Sequence, residues 1–133
     1  MSGERTDHGP PPLVLVDAAN VVGSVPDGWW RDRHGATERL RDSLAERAAP
    51  GVAGFGPPVE LVLVVEGAAR RVASASAVRV VAATGSGDDR IVELVAAAEP
   101  GRAVLVVTAD RELRERVREL GAHTAGPRAV REG

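Results

Sequence analysis

The sequence predicts an α/β domain: a mostly parallel sheet with helices on both faces. Three observations lead there. Short runs that are apolar at every position recur at 13–16 (LVLV), 61–65 (LVLVV) and 103–107 (AVLVV), with a weaker one at 78–82 (VRVVA). A strand apolar at every position is buried on both faces, which is the habit of a parallel sheet. The segments between the runs repeat their apolar residues at helical spacing, and the connections are short.

Taken in order, residues 1–12 (MSGERTDHGPPP) are polar and end in prolines, and are expected to be a disordered lead-in. The first strand, 13–16, stops at Asp17. Ala36, Leu40 and Leu44 line the first helix, and APGVAGFGPP at 49–58 is a Pro/Gly loop. The second strand closes on Glu66 and the weak third strand follows. TGSG at 84–87 then leads into a helix lined by Ile91, Leu94, Val95 and Ala98. The fourth strand runs to Thr108 and Asp110. A third helix follows with Leu113, Val117 and Leu120 inward and Gly121 as its stop, then a short fifth strand at 123–125. The expected domain spans 13–128, with 129–133 as a tail. A chain of 133 residues holds one such domain.

Composition narrows the chemistry. All 17 basic side chains are Arg, and Lys and Cys are absent. This excludes a Walker A phosphate loop, a Schiff base, a thiolate nucleophile, a zinc ribbon and a disulfide framework. His8, His34 and His123 share no ligand spacing, so a metal would be held by oxygen. A net charge of -2 argues against a global basic coat for nucleic acid. No apolar run approaches the length of a membrane span and the N-terminus lacks the apolar core of a signal peptide, so a cytoplasmic location without membrane contact is expected.

The acids fall in a pattern. Asp17 and Glu66 close strands, Asp88 and Asp89 open a helix, and Asp110 follows the fourth strand. In a parallel sheet all these positions belong to the carboxyl edge, where open α/β sheets bind ligands. Each acid also has a structural reading: Asp88, Asp89 and Asp110 as helix caps, Asp17 as the cap of the next turn, Glu66 as a partner of Arg70. Together they form an oxygen-only set that suits Mg²⁺ or Mn²⁺ and metal-assisted attack of water on a phosphodiester or phosphoanhydride.

Other residues near that edge are candidates for holding substrate. Trp29 or Trp30 could stack on a base, or anchor the next helix. Arg111 stands at the start of the last helix beside the acids and could grip a phosphate, while Arg114 and Arg118 on the same face read as solvated. Arg31, Arg33, Arg70 and Arg90 lie near the same loops. The TGSG segment, with Ser86, offers either an N–H nest for a phosphate or a plain loop before a helix.

The run LVLVDAANVVGS, with Asp17 and Asn20 in a DxxN arrangement, resembles the opening of NYN domains of the PIN-like nuclease superfamily. VVEG around Glu66, GSGDDRIVELV around Asp88 and Asp89, and VVTADRELRERVRELGA around Thr108 and Asp110 follow in the family's order. The last two most resemble the YacP-like branch. Ala18 stands where the family usually has Gly, and Glu66 where NYN members often have Asp. The resemblance covers about 13–125. It implies a five-stranded sheet of order 3-2-1-4-5 and hydrolysis of RNA with Mg²⁺ or Mn²⁺.

By the same resemblance Asp17, Asp89 and Asp110, with Glu66, would be the metal acids. Asp88 would support them, Thr108 would contribute its hydroxyl, and Asn20 would orient a water, a carboxylate or the phosphate. Expected partners are an RNA or nucleotide substrate, a second copy of the chain, and an antitoxin or a ribosomal or RNA-processing partner. The alternatives to a ribonuclease are a metal-dependent nucleotide phosphohydrolase and a non-catalytic RNA- or partner-binding module.

Overall fold

In the first strand, β1 (Leu13–Asp17), every residue is buried, and alternation sends Val14 and Val16 to one face and Leu13 and Leu15 to the other. The same division holds in β2 (Glu60–Val65), where Leu61, Leu63 and Val65 face one way and Val62 and Val64 the other, and in β4 (Val104–Val107). Each face needs a cover, and the chain supplies two. The structure, a computed structural model, describes residues 10–25, 28–48 and 50–131.

Helices α1 (Ala18–Gly23), α2 (Arg33–Arg47) and α5 (Arg128–Arg131) cover the first face through Ala18, Val21, Leu44 and Val130. Helices α3 (Gly87–Ala97) and α4 (Arg111–Glu119) cover the second through Ile91, Val95, Leu113 and Val117. With β3 (Val78–Ala82) and β5 (His123–Ala125) the sheet has five strands in the order β3-β2-β1-β4-β5. Every pairing is parallel. All five C-termini therefore share one edge, with β1 at its centre.

The domain boundaries differ from those expected. Proline residues 10–12 belong to the packed structure: the carbonyls of Pro11 and Pro12 accept hydrogen bonds from Arg102 Nε at 2.8 Å and from the Glu60 N–H at 2.9 Å. At the other end Val130 is fully buried, so residues 129–131 are part of the domain and not of a tail. The remainder of the expected lead-in, 1–9, and residues 132–133 lie outside the described residues. Leu120, expected to face inward, falls after the last turn of α4 and is 48% exposed. Gly121 does end that helix, with φ at +93°.

Candidate active site

Asp17 is the last residue of the central strand and only 5% exposed. It occupies the N-cap position of α1, yet its side chain makes no cap hydrogen bond of good geometry. Its Oδ2 instead accepts from the hydroxyl of Thr108, the fully buried residue after β4, at 2.9 Å. Burial pushes the Asp17 carboxyl up from an ordinary 3.8 to about 6. The Thr108 hydrogen bond opposes that rise, the charges of Asp88 and Glu66 add to it, and the Asn20 backbone N–H opposes it. The Asn20 N–H is the only group of α1 that the Asp17 carboxylate faces as a cap, and it does not reach hydrogen-bonding geometry, so capping is the lesser of its interactions.

Asp88, in the first turn of α3, is also held above the usual carboxylate range, first by burial and then by the charges of Asp110, Glu66 and Asp89, with Arg116 acting against them. Its side chain accepts no hydrogen bond and makes no ion pair among the described residues. Glu66 follows β2 and turns toward α3, where its Oε1 accepts the backbone N–H of Gly87. It does not pair with Arg70. Asp110 caps α4 through Oδ1, accepting from the Leu113 N–H at 3.0 Å, while its charge is felt at Asp88. Asp17, Glu66, Asp88 and Asp110 thus form one electrostatic cluster built from four chain segments.

Asp89 departs from the expectation. It is bound at 3.1 Å by Arg116 of α4, with its side chain 67% exposed. The two neighbouring acids leave the helix about 100° apart, and Asp88 is the one coupled to the rest of the cluster. Asn20 uses its Oδ1 to accept the Ala109 N–H at 2.8 Å, which ties the loop after β4 to α1. With the Thr108 hydroxyl, which accepts from the Asp110 N–H at 3.1 Å, it fixes where Asp110 begins α4.

Of the expected substrate contacts, Ser86 is spent as the N-cap of α3, its Oγ accepting from the Asp89 N–H at 3.1 Å. One N–H of the expected phosphate nest, that of Gly87, is taken by Glu66. Arg90 pairs with Glu93 at 3.0 Å along α3. Arg111 is exposed at the start of α4, next to Asp110, and carries no hydrogen bond or ion pair among the described residues. Trp30 is 56% exposed, edge-on to Trp29 with ring centroids 6.0 Å apart. It is Trp29, with Arg33, that lines a cleft beside Ala18 and Glu66. The sequence signal for this was the WW pair itself, which does not say which ring faces the acids.

No three Asp, Glu or His side chains among the described residues are placed to enclose a metal ion together. No helix among them is long and apolar enough to cross a membrane.

The sheet order, the parallel pairing and the helices on both faces define a three-layer α/β/α fold with its acids at the carboxyl edge. Among solved structures the chain is similar to Rae1 (YacP) from Bacillus subtilis, with a TM-score of 0.72 at 19% identity over 89% of this chain and 70% of that one. A single-residue mutant of the same protein gives 0.68 at 20% identity over the same shares. No protein-family model matches the sequence, and no curated protein matches it.

Proposed function

We propose that this protein is a divalent-metal-dependent ribonuclease whose site is the cluster of Asp17, Glu66, Asp88 and Asp110. The observation that carries the reading is Asp17: a carboxylate at the end of the central strand, buried, without a well-formed cap hydrogen bond, and raised to about 6 beside Asp88 and Glu66. Capping accounts for Asp110 and the helix dipole favours Asp88, yet the like charges still repel around buried Asp17, and a cation relieves that repulsion. The motif resemblance to the YacP-like branch and the similarity to the solved YacP structures support the same reading.

The donor set fits Mg²⁺ or Mn²⁺ in chemistry, being oxygen throughout. Mg²⁺ at phosphate sites is commonly held by one or two carboxylates, with its other positions filled by water. Asp17 and Asp88 are the residues to hold it. Such an ion, when bound, supplies neutralisation of the phosphoryl oxygens and acidifies water for attack on phosphorus. Thr108 keeps the Asp17 carboxylate oriented, the Gly87 N–H keeps Glu66 turned to the cluster, and Asn20 secures the loop carrying Asp110. Arg111 supplies an unpaired guanidinium at the rim for a phosphate.

RNA, single-stranded DNA and nucleoside triphosphates, each incubated with Mg²⁺, Mn²⁺ or EDTA, test the proposal. RNA cleavage abolished by EDTA is expected. Asp17→Asn and Asp88→Asn should each lower it more than about a hundredfold, and Asp89→Asn by only a few fold. EDTA-resistant cleavage, or wild-type turnover by Asp17→Asn, overturns the reading. Hydrolysis of triphosphates in place of RNA makes the protein a nucleotide phosphohydrolase.

A further inference from the structure

We propose that the cleft beside Glu66 is a nucleobase subsite, where Trp29 and Arg33 stack on a base next to the phosphate that a cation on Asp17 and Asp88 would bind; the proposal rests on the ribonuclease reading and specifies how the RNA is gripped. The cleft has a volume of about 140 Å³, well below the roughly 300–1,000 Å³ of sites for larger ligands. It takes a flat ring system and not a whole nucleotide. One wall is Trp29 and Arg33, another is Glu66, and the floor is Ala18, the residue after Asp17. The cleft and the acid cluster therefore share Glu66 and are one residue apart along α1.

Two features suit a base more than an aliphatic group. Arg33 holds its guanidinium 5.3 Å from the centroid of Trp29, so the wall presents an aromatic plane and a guanidinium plane, and bases stack on either. The Arg33 side chain has no carboxylate partner among the described residues, although the acid cluster lies nearby. It is thus available to donate to a base carbonyl or ring nitrogen. Glu66 uses Oε1 on Gly87 and also lines the cleft, which leaves its Oε2 to accept from an exocyclic amino group. The wall is held in place before any ligand arrives: Trp30 packs edge-on to Trp29 at 87°, and α2 starts on the Asp32 cap, whose Oδ1 accepts from Gly35 at 3.0 Å. Trp30 does not line this cleft and supports it only through its edge contact with Trp29, which Phe can also make.

The chain has two Trp, so a Trp30→Phe background makes Trp29 the sole indole reporter. In EDTA, which prevents turnover, a short oligoadenylate is expected to quench its emission, and an abasic oligomer of equal length to bind about tenfold more weakly without quenching. In cleavage assays Trp29→Leu should raise KM about tenfold with kcat within about twofold, and Trp29→Phe should restore most of the loss. Equal affinity for the abasic oligomer overturns the subsite, as does an unchanged KM in a Trp29→Leu variant that still unfolds cooperatively. RNA cleavage with an unchanged KM removes the subsite and leaves the ribonuclease standing. Quenching by oligoadenylate in a protein that cleaves no RNA does the reverse.

Discussion

Asp17 holds its proton to about pH 6 in the folded chain, against an ordinary 3.8, so the native state binds that proton more tightly than the unfolded one does. Between those two values stability falls as pH rises, and above about 6 the penalty of a buried, repelled charge is fully present. Asn at this position keeps an acceptor for Thr108 and carries no charge. Asp17→Asn is therefore expected to stabilise the metal-free protein at pH 7.5 by on the order of 2 kcal/mol, the gain fading as pH drops toward 4. Chemical denaturation in EDTA across that range measures it, and a variant less stable than wild type at pH 7.5 contradicts it. Such a gain would mark Asp17 as a residue kept at a cost to folding. At this scale the sequence was legible in residue type and strand position. It could not choose between Asp88 and Asp89, or between Trp29 and Trp30, because each choice depends on groups far along the chain: Arg116 across the α3–α4 contact, and Glu66 after β2.

At the scale of elements, the start of α3 joins stability to the site. Gly87 is buried, and a Cβ there would stand 2.5 Å from Glu66 Oε1, the atom its own N–H holds. The carboxylate is the end of a flexible side chain and can swing aside, while Ala is the better helix former by up to about 1 kcal/mol. Gly87→Ala is thus expected to leave the unfolding midpoint nearly unchanged and to lower RNA cleavage on the order of tenfold to a hundredfold, because Glu66 loses its setting. A variant with both properties intact would show that this latch has no bearing on turnover. The main elements were readable because period and position agreed: the four strand runs and three helical stripes fall where the structure has them, and even the three-residue β5 lies at the expected 123–125. Helix α1 gave no signal. Its six residues, AANVVG, make fewer than two turns and show no polar face to set a period.

Over the whole molecule, the sheet is closed unequally on its two sides. The second face is covered by two helices with clear stripes, whereas the first depends on α2, on short α1, and on the single turn of α5 that returns from β5 to place Val130 against Val21 and Leu40. That turn, RAVR, has one apolar residue flanked by arginines and therefore no periodicity, which is why the sequence reads there as a tail. The physical consequence concerns the site above it. Asp17 leads directly into α1, and the Asn20 to Ala109 hydrogen bond ties that segment to the loop after β4 without help from α5. Val130→Ala leaves a void that neighbouring side chains fill only in part, and is expected to cost roughly 1–3 kcal/mol, lowering Tm on the order of 5 °C. Below that lower Tm its cleavage rate should match wild type, since no atom of the acid cluster is altered. If the rate falls while the protein remains folded, α5 does more than close the core: it holds α1 in the register that the site requires.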